Sequence, residues 1–149
     1  MATLRIYDLK QNFLAIDLRD LLRLLAPWSL QANWIVSTVK SSKPGHEWFE
    51  ATGEGGEQLE ALAQDNARLS GSDLAALAEN TRQVIWGEFV GSGPTQSDKT
   101  WVIIRAVDST FYEIDTDDKA VLSKISSTYK DVRTGEAPIT SWLVARPDE

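Results

Sequence analysis

The sequence predicts a single α+β domain, a mainly antiparallel sheet with about four helices packed largely on one face. Three observations carry this. Residues 83–90 (QVIWGEFV) and 101–107 (WVIIRAV) are rich in β-branched and aromatic side chains, and a Gly/Pro/Ser/Asp loop separates them. Elsewhere apolar residues recur at helical spacing in segments bounded by Ser, Asp, Gly or Pro. The connections are short, so successive strands pair as hairpins in the order β-α-β-β-α-α-β-β-β-α-β. A chain of 149 residues, 42% hydrophobic and 25% charged, suffices for one core, and neither a repeat nor a linker divides it.

Residues 3–9 (TLRIYDL) alternate as a first strand. Asp17 opens a helix whose Leu18, Leu21, Leu22 and Leu25 form a core stripe, with Arg19 and Arg23 outside and Pro27 as its stop. Residues 28–40 read as a second strand, with Trp34, Val36 and Thr38 on one face and Ile35, Ser37 and Val39 on the other. A turn at 41–45 returns the chain to a hairpin partner at 46–51. Within it His46, the single histidine, adjoins Glu47, but neighbours on a strand point to opposite faces and do not assemble a base. As a residue following Pro-Gly, His46 reads as an exposed loop position.

Gly53–Gly56 reads as a flexible break before two helices, marked by Leu59, Leu62, Ala63 and Leu69, then by Leu74, Leu77 and Ala78 with Ser72 as cap. It is no phosphate loop, since Glu54 and Glu57 would repel phosphate and the dinucleotide spacing is missing.

The strands at 83–90 and 101–107 divide by parity. Ile85, Gly87 and Phe89 oppose Val84, Trp86, Glu88 and Val90, and Val102, Ile104 and Ala106 form a wholly apolar set. The register that joins the apolar sets pairs Val90 with Trp101, Glu88 with Ile103, Trp86 with Arg105 and Val84 with Val107. A two-residue turn at Asp108-Ser109 then pairs Arg105 with Tyr112 and Ile103 with Ile114. Trp86, Arg105 and Tyr112 fall in one row, with Glu88 diagonal to the guanidinium, which can stack between aromatic rings. Trp86, Glu88, Trp101, Arg105 and Tyr112 are therefore the candidate partner-binding residues. The competing expectation is a helix over this face, with Arg105 and Glu88 a satisfied pair at its rim. This register separates Glu88 from Glu113, which argues against paired acid/base chemistry.

Residues 93–100 (GPTQSDKT) resemble a Walker A pattern, but the match is rejected because Asp98 replaces the second Gly and Lys99-Thr100 leads into a strand instead of a helix. The final helix takes Asp115 or Thr116 as cap, with Asp117 and Asp118 in its first turn and Val121, Leu122, Ile125 and Tyr129 inside. These acids do not make a calcium loop, because Ala120 and Ser126 stand where its Gly and Glu belong. A turn at 134–138 precedes a last strand at 139–145.

With no cysteine and one histidine, disulfides, thiolate chemistry and multi-histidine metal sites are excluded, and no cofactor motif is read. Lacking a long apolar run, the chain reads as cytoplasmic and without membrane contact. The net charge of −7 is clustered: residues 44–81 hold eight acids against one base, Arg68. Such a field disfavours direct nucleic-acid binding and favours a basic protein partner. Glu47, Glu50, Glu54, Glu57 and Glu60 form the candidate acidic surface. Six tryptophans fit a binding module, because Trp, Tyr and Arg dominate interface hot spots. The expected function is a non-catalytic inhibitor, immunity-like or adaptor protein. The alternatives are a small-ligand or carbohydrate-binding domain and a subunit of a homo-oligomer.

Overall fold

The computed structural model describes residues 1–40, 47–93, 99–135 and 137–139. It is α+β, with every described strand pairing antiparallel. The N-terminal part contains β1 (Ala2–Ile6), a small hairpin of β2 (Leu9–Lys10) and β3 (Phe13–Leu14), α1 (Leu18–Leu24) and α2 (Trp28–Gln31). The middle contains β4 (Asn33–Ser37), β5 (Val39–Lys40), β6 (Glu47–Trp48), β7 (Glu50–Thr52), α3 (Glu54–Gln64), β8 (Arg68–Ser70) and α4 (Gly71–Glu79). Then follow β9 (Gln83–Ser92), β10 (Thr100–Val107), β11 (Phe111–Thr116), α5 (Lys119–Thr128) and β12 (Val132–Thr134).

The main sheet runs β12-β1-β11-β10-β9-β4-β8, and β7 also pairs with β9. Long β9 thus takes two partners on one edge: β4 along residues 88–92 and β7 along residues 83–86. One sheet face is the core. There Leu4, Ile6, Trp34, Val36, Phe89, Val102, Ile104, Ala106, Tyr112 and Ile114 meet Leu18, Leu21 and Leu22 of α1, Leu59 and Ala63 of α3, Leu74 and Ala78 of α4, and Val121 and Ile125 of α5. Among the described residues no helix is long and apolar enough to cross a membrane.

Several local expectations are corrected. Residues 28–31 form α2, and the strand starts at Asn33. Leu69 lies in β8 instead of extending α3, and Ser70 caps α4 by accepting the Asp73 amide at 3.1 Å. The glycine stretch at 53–56 is the start of α3 and is tightly packed: a Cβ on Gly55 would lie 2.3 Å from the Leu77 carbonyl oxygen. Close approach of α3 to α4 accounts for that glycine. Neither Asp115 nor Thr116 caps α5, because β11 continues through Thr116 and Asp118 takes the cap, accepting the Ala120 amide at 2.9 Å. The strand β12 falls before the expected turn. Ile139, expected to open the last strand, is helical instead; His46, the turn at 41–45 and the rest of that expected strand lie outside the described residues.

Both central registers also differ. β9 meets β10 with Glu88 opposite Arg105, two residues from the expected pairing, and the ladder is irregular between Thr100 and Val102. A two-residue shift keeps each side chain on its face. The next slip does not. Asp108 and Ser109 do form the turn, with φ of 52° and 58° and the Thr110 N–H donating to the Val107 carbonyl at 2.9 Å. Thr110 is left between the strands, so Val107 pairs with Phe111 and Arg105 with Glu113. One residue of slip turns every side chain of β11 over. The reason is burial: this register sends Tyr112 and Ile114 into the core and spares it two carboxylates, Glu113 and Asp115.

Candidate functional site

The sheet face away from the core carries a row of polar side chains. Cross-strand registers place Ser37, Glu88, Arg105, Glu113, Arg5 and Arg133 side by side across β4, β9, β10, β11, β1 and β12. The Arg105 guanidinium is the centre. It donates from Nε to Glu88 at 2.8 Å and from Nη1 to Glu113 at 2.9 Å and Asp115 at 2.6 Å. Arg5 Nε donates to Glu113 at 3.1 Å, Ser37 Oγ to Glu88 at 3.0 Å and Thr3 Oγ1 to Asp115 at 2.8 Å.

This row is mostly closed to solvent. Arg105 is 5% exposed, Asp115 4% and Glu113 0%. Charges so placed stay ionised only when paired and hydrogen-bonded. Burial lowers the Arg105 pKa, but Glu88 and Asp115 more than offset it, and the net shift is upward. Burial raises the Glu113 pKa first; Arg105 opposes the shift and Asp115 adds to it. A small apolar group of Val107, Phe111 and Ile139, with Tyr7 and Trp86 against it, lies on the same side. Over its rings sit two more guanidiniums, Arg5 4.8 Å from the centre of Phe111 and Arg133 3.8 Å from that of Tyr7.

Of the five residues expected to form one recognition surface, Trp86, Glu88 and Arg105 share this face. Trp101 and Tyr112 do not. Trp101 is 8% exposed, packs edge-on to Trp34 and donates from Nε1 to Asp118 at 2.9 Å. Tyr112 is 1% exposed, its hydroxyl has no hydrogen-bond partner among the described residues, and burial followed by the field of Asp17 raises its pKa. The row Trp86–Arg105–Tyr112 is thus replaced by Glu88–Arg105–Glu113. Glu88 and Glu113, expected on opposite faces, stand on the same one. Both are held by Arg105, and Glu113 has no exposed surface for a substrate.

Sequence reasoning missed Thr3, Arg5, Ser37, Glu113 and Asp115 as members of the row. Their signal was parity: Glu113 and Asp115 alternate with Tyr112 and Ile114, as Thr3 and Arg5 alternate with Leu4 and Ile6.

At the β7 edge the row gives way to an aromatic and acidic surface. Trp48 of β6 stacks on Trp86, ring centres 5.2 Å apart at 27°. Both rings are half-buried, and Trp48 is the aromatic partner that the sequence reading omitted. Glu50 lies opposite Trp86 in the ladder, and Glu47 adjoins Trp48. Glu47, Glu50, Glu54, Glu57 and Glu60 are all exposed. The last three belong to α3, which packs on β7 through Gly56 and Ala51. Residues 47–67 contain no Lys or Arg, and exposed Arg82 is tied to β7 by its amide, which donates to Thr52 at 2.8 Å. Among the described residues no group of His, Cys, Asp or Glu is arranged to hold a metal ion.

No family model matches the chain, and no match emerged among curated proteins or solved structures.

Proposed function

We propose that the protein is a non-catalytic interaction module of the inhibitor, immunity-like or adaptor kind. It binds a basic partner protein through exposed acids around the Trp48–Trp86 pair. One observation carries this reading: the stacked tryptophans lie at a sheet edge where Glu47 and Glu50 flank them and α3 adds Glu54, Glu57 and Glu60. Large rings that lose little conformational entropy are suited to anchoring an interface, and an acidic rim speeds encounter with a cationic surface. The anchor is Trp86 with Trp48; Trp101 and Tyr112 serve the core, and Arg105 positions Glu88.

The test is capture from lysate of the source cells at low and high salt, with the wild type beside a Glu47→Lys/Glu50→Lys variant. A cationic protein retained by the wild type at low salt, released at high salt and not retained by the variant supports the reading. Retention of the same proteins by both baits would sink it. Recovery of the chain alone would replace it with self-assembly.

A further inference from the structure

The sheet face away from the core treats its outer arginines alike. Arg133 lies over Tyr7, 3.8 Å from the ring centre, and its Nε reaches Asp131 at 3.1 Å. Arg5 lies over Phe111, 4.8 Å from the ring centre, and its Nε reaches Glu113 at 3.1 Å. In both, a guanidinium covers an aromatic ring while its N–H groups meet a carboxylate. The ammonium of Lys124 behaves differently: it stays 5.6 Å from the ring centre of Trp28 and donates to the Leu24 carbonyl at 3.2 Å. A planar, weakly hydrated cation stacks on a ring and keeps its in-plane donors free, whereas a compact ammonium must give up more of its hydration.

The β7 edge repeats the aromatic and carboxylate parts of that arrangement. Trp48 and Trp86 are stacked, and both rings keep exposed surface. Glu50 stands opposite Trp86 in the ladder, and such cross-strand partners project from one face with Cβ atoms about 5 Å apart. Glu88, two residues along β9 on the same face, is already held by Arg105 at 2.8 Å and Ser37 at 3.0 Å. Glu50 is exposed and makes no ion pair among the described residues, and no described cation lies over Trp86. Rings bordered by an uncompensated carboxylate favour a cation over a purely apolar occupant.

We propose that this edge seats an arginine of the partner protein, its guanidinium on the exposed surface of the Trp48–Trp86 pair and its N–H groups on Glu50. The inference rests on the interaction-module reading above and narrows the partner from a basic surface to one led by arginine.

The probes are two capped peptides of equal length and charge, GRGRG and GKGKG, titrated at low salt and followed by the indole N–H resonances of Trp48 and Trp86. The arginine peptide is expected to move both resonances and to bind at least about three-fold more tightly than the lysine peptide. Glu50→Gln is expected to abolish that preference, whereas Glu54→Gln, the same loss of charge on α3, keeps it. Both positions are exposed, so both variants are expected to fold. A preference that survives Glu50→Gln, binding that leaves the two indole resonances unmoved, or no binding of either peptide overturns the proposal. Equal affinity for the two peptides, weakened alike by Glu47→Lys/Glu50→Lys, overturns the arginine seat and leaves the acidic edge standing. Peptide binding indifferent to that variant overturns both.

Discussion

Replacing Arg105 by Met would leave Glu88, Glu113 and Asp115 facing one another with their shared cation gone. Breaking a buried ion network by removing one partner costs roughly 3–5 kcal/mol, and Arg105→Met is expected to lose that much in urea denaturation. A second residue-scale prediction concerns Glu113. Burial raises its pKa above the ordinary 4.5, so over a window starting there the folded chain keeps a proton that the unfolded chain has released. Stability then falls with rising pH, because the folded state binds more protons. This contribution of Glu113 is fully present below the unfolded value and is lost as pH rises through the raised folded one. The wild-type stability minus that of Glu113→Gln, measured across this range, should fall as pH rises; a rise would reverse the assigned direction. Glu113 and Arg105 were both visible in the sequence. What was not visible was that a single unpaired residue, Thr110, would bring them together.

At the scale of elements, β9 shows how a strand adapts to its neighbours. Its core face carries Gly87, Phe89 and Gly91, and a Cβ on Gly91 would lie 2.9 Å from the ring of Trp34, which is 0% exposed. Trp34 has nowhere to retreat, so Gly91→Ala is expected to destabilise by about 1–3 kcal/mol, read as a lower urea midpoint with unchanged slope. The β10–β11 turn offers the opposite case. Asp108 is exposed and holds φ 52°, a conformation that glycine adopts without a Cβ penalty. Asp108→Gly should therefore raise stability by about 0.5–1 kcal/mol, provided the register stays as it is. The leucine stripe of α1 was legible because period and burial agree: Leu18, Leu21 and Leu22 are all buried. The start of α3 was not, because Gly55 and Gly56 carry no local helix signal and their purpose lies in Leu77 and Ala51, distant in sequence.

Taken whole, the molecule separates its two kinds of charge use. The buried ion network lies on the second sheet face, and Glu47, Glu50, Glu54, Glu57 and Glu60, which make no ion pair among the described residues, lie on the exposed surface formed by β6, β7 and α3. Reversing Glu47 and Glu50 to Lys touches only the exposed set, so stability should change by no more than about 0.5 kcal/mol in thermal denaturation even where partner binding is lost. The sequence by itself determined the α+β class, the antiparallel pairing, the helix stripes and the parity of residues 86–90 and 102–107, because these follow from periodicities within short segments; Val84 and Trp101, beside ladder irregularities, turn into the core against that parity. Tertiary structure alone decided which residues meet. The choice at Thr110 between a two- and a three-residue connection is nearly neutral locally, yet it selects whether Glu113 and Asp115 enter the apolar core or reach Arg105. Desolvation of two carboxylates decides it, and that term exists only once all the strands are in place.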